Sequence, residues 1–297
     1  MDRVTHADDD PFVVHRNLLF TVAYEMLGSA ADAEDVLQES WLRWSAVDQA
    51  KVDAPKAYLV RIVTRQALNH IRSSSRRRED YVGEWLPEPL LTSPDVADDV
   101  ELAESLSMAM LTVLETLGPA ERAVFVLREV FDVPYDEIAD AVGKTPAAVR
   151  QIAHRAKDHV AARRPRIRVV PSEHERAVTR LVAALENGDI QGLMDVLAPD
   201  AVSVAGSGGK VRGAARKPLV GADAIARYLI GSLAKFTREF RTVITTINGE
   251  PAIRVEIDGQ LAGIVTVAVE DGRITRIYST ANPDKLGRVD QAVPLVR

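Results

Sequence analysis

The sequence predicts a multidomain fold class in which two all-α domains are followed by one α+β domain. Up to about residue 160 the apolar residues recur at three- and four-residue intervals, which is the spacing of amphipathic helices. Between Phe240 and Ser279 the pattern changes to β-prone runs separated by Asn-Gly and Asp-Gly dipeptides, which indicate antiparallel hairpins. Stretches rich in proline or charge at 81–100 and 163–171 are typical of connectors.

These changes in pattern predict four segments. They are a first helical domain (residues 1–80), a linker (81–100), a second helical domain (101–168) and an α+β domain (172–290). A chain of 297 residues, 46% of them hydrophobic, is long enough for several such cores.

Composition restricts the class of protein. The chain has no cysteine, which excludes disulfides, thiolate nucleophiles and cysteine-based metal sites. No run approaches the roughly 20 apolar residues that span a bilayer, and the opening residues lack a basic segment leading into an apolar one. We therefore expect a cytoplasmic protein with no membrane partner.

The net charge is −6, yet the positive charges are concentrated in two islands. Six arginines and no acid lie between Arg61 and Arg78, and eight basic residues against one acid lie between Lys144 and Arg168. Two basic islands in an acidic chain predict two separate contacts with phosphate. Solvated helix faces would give the same pattern, so the charges alone leave both interpretations open.

Residues 135–160 have the pattern of a helix–turn–helix. A first helix ends near Val142, Gly143 suits a tight turn, and Thr145 with Pro146 makes a capped start for a second helix. In proteins with this motif the second helix enters the major groove of DNA. Its apolar stripe, expected to pack on the first helix, is Val149, Ile152, Ala153 and Ala156.

The outward face of the second helix carries side chains that suit DNA. Arginine and glutamine can pair bidentately with guanine and adenine edges, and the others can hold phosphates. This face consists of Arg150, Gln151, His154, Arg155 and Lys157. A helical hairpin that only packs is the alternative.

The helix predicted over residues 31–44 has two contrasting faces. The apolar face, expected to be buried, consists of Ala33, Val36, Leu37, Ser40, Trp41 and Trp44. The opposite face includes Asp32, Asp35, Gln38 and Glu39. Because acidic side chains repel phosphate, this face suits a basic protein surface better than DNA, although an ordinary solvated face fits as well.

The next helix begins after Pro55 and carries a polar row that recurs near every fourth residue. The row consists of Arg61, Arg65, Asn69 and Arg72. Such a row can follow a phosphate backbone. The polar loop before it, residues 45–57, can present groups to an unstacked base.

In combination these segments resemble a bacterial sigma factor of the extracytoplasmic-function (ECF) type, within the sigma-70 family. The resemblance covers residues 11–165 and lies in the stretches DAEDVLQESWLRW, PKAYLVRIVTRQALNHIRS and LGPAERAVFVLREVFDVPYDEIADAVGKTPAAVRQIAHRAK. It implies that the first stretch grips core RNA polymerase, the second recognises and melts the −10 promoter element, and the third binds the −35 element. Segments 1–80 and 101–168 would then be sigma regions 2 and 4.

The resemblance also implies roles for individual residues. The polymerase-binding set is Asp32, Asp35, Gln38 and Glu39. The set facing the −10 strand is Asp48, Lys56, Arg61, Arg65, Asn69 and Arg72. The set facing the −35 duplex is Thr145, Arg150, Gln151, His154, Arg155 and Lys157.

Beyond residue 172, two amphipathic helices and four β-prone runs predict an α+β cone. This pattern resembles the SnoaL-like or nuclear-transport-factor-2-like fold, which serves both enzymes and domains that only bind. His174 is the domain's only histidine and no Asp–His pairing is visible. We therefore expect no catalytic residue, no metal site and no cofactor, while an unidentified small ligand in the cone stays open as a partner.

Three short motifs resemble those of an ECF subgroup in which the fused domain is a built-in regulator. WLPEPL at Trp85–Leu90 and NPDKL at Asn282–Leu286 match well, and the third, usually Asp-Gly-Gly-Gly-Lys, is GSGGK at Gly206–Lys210, without the aspartate. Their co-occurrence suggests that the linker and NPDKL touch. The predicted regulatory interface is Trp85, Leu86, Pro87, Asn282, Pro283, Asp284, Lys285 and Leu286.

Two other functions fit the same domains. A helix–turn–helix regulator that senses a small molecule in the cone would bind DNA without core polymerase. An enzyme domain fused to a regulator would turn over a substrate. The acidic face at Asp35–Glu39 favours the sigma interpretation, because a simple repressor needs no such domain.

Overall fold

The computed structural model describes residues 10–79, 81–93, 96, 99–163, 171–211, 213–233 and 240–297. The arginine side chains at 76–78 and the basic residues at 164–168 of the two islands lie outside that description. The chain divides into two compact units, of which the first comprises 1–76, 113–163 and 294–297 and the second 77–112 and 164–293. The linker and the start of the second helical segment thus share a unit with the C-terminal domain.

The N-terminal part is helical, as predicted. Its elements are α1 (Pro11–Val14), α2 (Arg16–Leu27), α3 (Ala30–Ser45), a short 3₁₀ turn (Gln49–Lys51) and α4 (Pro55–Glu79). Asp10 caps α1 by accepting the Phe12 N–H at 2.8 Å, and Ser29 caps α3 by accepting the Asp32 N–H at 3.2 Å. These side-chain acceptors satisfy donors that the first turn of a helix leaves unpaired, so each helix begins where its cap stands.

The buried face of α3 follows the predicted stripe with one exception. Ala33, Val36, Leu37, Ser40 and Trp44 are all buried. Trp44 also donates its indole N–H to Asp10 Oδ1 at 3.0 Å. The prediction was wrong for Trp41, which is 37% exposed. Its ring lies 5.2 Å from that of Phe12 of the four-residue helix α1, in a T-shaped arrangement.

The second helical segment contains the predicted helix–turn–helix. After α5 (Val100–Leu106) and α6 (Met108–Leu114), α7 (Pro119–Phe125) continues into a π-helical turn (Val126–Val130), followed by α8 (Tyr135–Val142) and α9 (Pro146–Arg163). Gly143 takes the left-handed conformation at φ 68° between α8 and α9, which glycine adopts without steric cost. Thr145 accepts the Ala148 N–H at 3.3 Å as the cap of α9. The predicted stripe of α9 is buried, which confirms the motif.

The C-terminal domain combines three helices with one sheet. The helices are α10 (Pro171–Glu186), α11 (Ile190–Val196) and α12 (Ala222–Leu233). The strands are β1 (Leu197–Gly206), β2 (Leu219–Val220), β3 (Phe240–Ile247), β4 (Glu250–Ile257), β5 (Gln260–Glu270) and β6 (Arg273–Thr280), and a 3₁₀ turn follows at Pro283–Lys285. The sheet order is β2-β1-β6-β5-β4-β3, and the three helices pack with it around one apolar core.

The hairpin turns lie where the dipeptides predicted them. Asn248, Asp258 and Asp271 have φ between 50° and 54°, and the glycine after each also has positive φ. Two consecutive positive φ angles define the hairpin turn that matches the twist of antiparallel strands. Strands β3 to β6 are therefore the predicted meander.

Strands β1 and β2 were not predicted. β1 pairs in parallel with β6, and the short β2 pairs with β1. Parallel partners are far apart in the chain, so no turn dipeptide announces them. No helix in the described part of the chain is long and apolar enough to cross a membrane.

Candidate nucleic-acid interface and linker contacts

The six residues predicted to face the −35 duplex lie on or next to α9, and all are exposed. Some of them are held by neighbours. Arg150 lies over the Tyr135 ring at 5.4 Å, and Arg128 lies over the same ring at 4.8 Å. Lys157 bonds Glu129 Oε2 at 2.8 Å, and this hydrogen bond raises the pKa of Lys157. The helix thus presents one continuous polar face whose cations are partly preoriented.

Thr145 differs from the other five, because its hydroxyl has a structural task. It accepts the Ala148 N–H and so fixes the start of α9. His154 lies 3.7 Å from Asp158, one turn further along the same helix. The exposed residues Gln151 and Arg155 complete the face.

The acidic face of α3 is exposed in part and tied to α4 in part. Asp35 and Gln38 are exposed. Asp32 Oδ1 lies 3.1 Å from His70 Nε2. Glu39 Oε2 accepts a hydrogen bond from the Gln66 amide at 2.6 Å. Two acids of this face, Asp32 and Glu39, are therefore anchored to the neighbouring helix α4.

The predicted −10 set lies along α4 and the preceding loop, but its members do not share one environment. Arg61 is half-buried and lies over the Tyr58 ring at 4.8 Å. Arg65 donates to the backbone carbonyl of Asp140. Asp48 pairs with Lys51 at 2.8 Å. Three further members are exposed: Lys56, Asn69 and Arg72.

A buried cation that sequence reasoning missed anchors the first unit. Arg122 is 2% exposed and donates Nη1 to the Met26 carbonyl at 3.0 Å and to Glu115 Oε1 at 2.9 Å. Region 4 is thereby fastened to α2. An arginine inside the apolar run AERAVFVL was the available signal, because a buried charge needs partners.

In the second unit, Lys285 of the NPDKL motif is buried against the linker. Its ammonium group bonds the Leu86 carbonyl. It also lies 3.4 Å from the centre of the Trp85 ring and 4.9 Å from that of Tyr81. A desolvated ammonium between aromatic faces is held by hydrogen bonding and by the ring quadrupoles together.

The neighbouring residue Asn282 joins the same contact. Its amide donates to the Tyr81 hydroxyl at 3.3 Å, and its backbone N–H donates to the Gly206 carbonyl at 3.2 Å. Burial raises the pKa of Tyr81. Asp284 pairs with Lys210. The three motifs, in the linker, in the glycine-rich loop and in NPDKL, therefore meet in one cluster.

Glycines make this meeting sterically allowed. A Cβ on Gly208 would lie 2.8 Å from the Asn282 amide nitrogen. A Cβ on Gly206, which stands where the related motif has aspartate, would lie 3.1 Å from Leu86 Cγ and 3.2 Å from the Glu84 carbonyl. Leu86 thus occupies the space that an aspartate side chain would need.

Beyond the motifs, Asn248 fastens the linker to the sheet. It is 1% exposed, accepts the Leu90 N–H at 2.8 Å and donates its amide to the Leu106 carbonyl at 2.8 Å. Thr92 Oγ1 accepts the Gly249 N–H at 2.9 Å. The sequence identified Asn248 only as a turn residue, since nothing local announces a partner more than 140 residues away.

The other residues of the predicted regulatory interface differ in burial and in packing partners. Leu86 packs with Met108, Val204 and Tyr278, and Leu286 packs with Ile247. Pro87 is buried, whereas Pro283 and Asp284 are exposed.

The C-terminal domain contains a buried histidine with an acidic neighbour, a proximity that the sequence did not reveal. His174 is 4% exposed, and its Nδ1 lies 3.9 Å from Glu250 Oε1, beyond hydrogen-bond reach. Burial lowers the pKa of His174 to about 4. Burial also raises the pKa of Glu250, although a quarter of that side chain stays exposed. Tyr278 packs with Leu86 of the linker, and burial raises the pKa of Tyr278 to about 12.

Three family models match the chain. Residues 12–77 match sigma-70 region 2, residues 107–160 match sigma-70 region 4, and residues 178–277 match the SnoaL-like domain.

Two full-length relatives come from Mycobacterium tuberculosis. The ECF RNA polymerase sigma factor SigJ is 37% identical over 287 residues, which cover 92% of this chain and 91% of that protein. The probable ECF RNA polymerase sigma factor SigI is 34% identical over 278 residues and 92% of each chain. The crystal structure of M. tuberculosis SigJ superposes with a TM-score of 0.74 at 33% identity, over 92% of this chain and 95% of that one.

These matches decide among the functions that the sequence left open. Both sigma-70 regions are present in order, and the similarity extends through the C-terminal domain. The repressor and the fused enzyme are thereby set aside. The chain belongs to the ECF RNA polymerase sigma factors, in the SigJ-like group that carries a C-terminal SnoaL-like domain, and it is a transcription initiation factor rather than an enzyme.

Proposed function

We propose that three surfaces of the sigma regions each bind a different partner during transcription initiation. The exposed polar face of α9 binds the −35 duplex, the arginine row of α4 with its preceding loop binds the −10 strand, and the acidic face of α3 binds core RNA polymerase. The residue types support each role, because arginine and glutamine suit base edges, spaced arginines suit a phosphate backbone, and acids suit a basic protein surface.

Within α9, Arg150 and Gln151 are the base-reading candidates. Both are exposed near the start of the helix, the part that contacts base edges in helix–turn–helix proteins. Arg155 and Lys157 follow about one turn later and suit phosphates. Arg150→Ala should relax specificity at one base pair, whereas Lys157→Ala should weaken binding to every −35 sequence alike.

The C-terminal domain is proposed to regulate the sigma regions by gripping the linker between them. The observation that carries this proposal is the seat of Lys285 between Trp85, Tyr81 and the Leu86 carbonyl. A linker held along a rigid sheet cannot change its length or path freely. The domain would therefore control how the two DNA-binding regions separate to reach the two promoter elements.

The test is promoter-dependent transcription with purified core polymerase and full-length chain. Lys285→Ala should change the transcript yield by about fivefold or more, a change that corresponds to the roughly 1 kcal/mol expected from one buried cation–π contact. Lys217→Ala is the matched control, because Lys217 is exposed and outside the motif cluster. An unchanged yield from Lys285→Ala, with the linker newly open to protease, would refute regulation through the linker.

A further inference from the structure

The guanidinium group of Arg65 already has an acceptor in the first unit. Its Nη2 donates to the Asp140 carbonyl at 2.6 Å, and its Nε donates to the Ala141 carbonyl at 3.4 Å. Both carbonyls belong to the last turn of α8, the first helix of the helix–turn–helix. A residue assigned to the −10 strand thus contacts the −35-binding region instead.

The last turn of a helix is a natural site for a cation. Its carbonyls have no partner within the helix, and the aligned peptide dipoles give this end a partial negative charge. The chain reverses after α8 at Gly143, with φ 68°. Charge-assisted hydrogen bonds to such carbonyls are stronger than those between neutral groups.

Charged side chains of region 2 and of α8 also line a common cleft. A cleft of about 440 Å³ is lined by Lys51, Tyr58 and Arg61 from region 2 and by Glu137 and Asp140 from α8. Cations that precede or belong to α4 therefore face carboxylates of α8 across one cleft. Asp53 also lines it, on the region 2 side.

A second cleft repeats the arrangement on the other side of Glu137. It measures about 590 Å³ and is lined by His15 and Lys56 from region 2 and by Asp132 and Glu137 from region 4. Burial and the nearby Lys56 lower the pKa of His15, so His15 adds no positive charge at neutral pH. Lys56, another proposed −10 residue, is the cation there.

We infer that α8 masks the −10-binding surface of the free chain by offering carbonyl and carboxylate oxygens where DNA would offer phosphates. The inference rests on the proposed roles of Arg61, Arg65 and Lys56. The edge of the guanidinium that carries Nε and Nη2 cannot bond the α8 carbonyls and a phosphate at once, so these two contacts of that edge exclude each other. The −10 strand gains access only when regions 2 and 4 move apart.

The test measures binding of a fluorescent single-stranded −10 oligonucleotide to the full-length free chain. Glu137→Gln or Asp140→Asn should each tighten binding about two- to fivefold, since each removes one attraction that holds the mask. Asp136→Asn is the matched control, because Asp136 is exposed on the same helix and does not line the clefts. Equal affinities for the control and the two cleft variants would overturn the inference.

A crosslink makes the opposite prediction. The chain has no cysteine, so Ala54→Cys with Glu137→Cys provides the only two thiols, and both positions line both clefts. Joining them with a short bis-maleimide should weaken oligonucleotide binding at least about tenfold. The same double variant capped with a monofunctional maleimide should bind the oligonucleotide as tightly as the uncapped double variant. Undiminished binding by the crosslinked chain would contradict masking.

A holoenzyme measurement separates this inference from the proposed function. With core polymerase bound and the regions apart, Arg65→Ala should weaken −10 binding, whereas Asp140→Asn should have no effect. If Arg65→Ala weakens binding there but the α8 variants change nothing in the free chain, masking fails alone. If Arg65→Ala has no effect in the holoenzyme, the −10 assignment fails, and the inference fails with it.

Discussion

Each compact unit contains a buried cation that ties together distant parts of the chain, and these two cations are held differently. Arg122 in the first unit has a carboxylate partner, Glu115, and the Met26 carbonyl. Lys285 in the second unit has the Leu86 carbonyl and two aromatic rings. The planar guanidinium thus donates to two oxygen acceptors, whereas the compact ammonium is held by one carbonyl and by two ring faces.

The largest effect should come from breaking the joint of the first unit. Arg122→Met would remove the guanidinium that pairs with the largely buried Glu115 carboxylate, and breaking such a pair costs about 3 kcal/mol. Urea unfolding followed by circular dichroism should show the transition of the first unit at lower denaturant, with that of the second unit unmoved. Glu115→Gln, which leaves the arginine its carbonyl partner, should cost less. An equal shift of both transitions would show that the two units unfold as one.

A smaller effect is expected from Lys285→Met. The methionine keeps the apolar stem of the side chain but loses the hydrogen bond and the attraction to the rings, about 2 kcal/mol together. The second unit alone should lose stability, and Trp85 should gain access to a fluorescence quencher. Lys285→Arg should retain part of the ring contact. An unchanged stability of the second unit in Lys285→Met would show that the ammonium group does not hold the linker in place.

The dependence of stability on pH again distinguishes the second unit. His174 has its pKa lowered to about 4 in the folded chain from 6.5, so the unfolded chain binds the proton first. The contribution of His174 to stability is therefore complete above pH 6.5 and is lost as the pH falls toward 4. In His174→Phe, the free energy of unfolding of the second unit should lack this dependence on pH.

Glu250 works in the opposite direction. Its pKa is raised to about 8 from 4.5, so its contribution is complete below pH 4.5 and is lost as the pH rises through 8. Glu250→Gln should remove that loss. A wild-type second unit whose stability did not vary between pH 4 and 8, with both variants equally flat, would contradict both shifts.

Local chemistry predicted more of this protein than long-range chemistry did. Gly143, Thr145 and Pro146 defined the helix–turn–helix because each satisfies a conformational or capping need within a few residues. The Asn-Gly and Asp-Gly turns of the meander are local in the same sense. These signals act over the length of one turn, which a single sequence displays directly.

Features that depend on distant partners were missed or misjudged. Strand β1 pairs in parallel with β6 some 75 positions later, and Asn248 bonds residues of the linker and α5. Trp41 lies on a stripe that should be buried, yet it is 37% exposed and its ring lies 5.2 Å from that of Phe12. The meeting of the linker with NPDKL was suggested by the joint presence of two motifs, whereas the bond of Arg65 to α8 had no sequence signal.

The most direct test of regulation through the linker is the distance between the two DNA-binding regions. Arg43→Cys on α3 and Ala161→Cys on α9 place two dyes at exposed positions in a chain without other thiols. Single-molecule energy transfer should give one narrow distance population for the parent chain and for Lys217→Ala. Lys285→Ala should add a second, longer population. An unchanged single population in Lys285→Ala, with Trp85 released as judged by quenching, would contradict control of the sigma regions by the C-terminal domain.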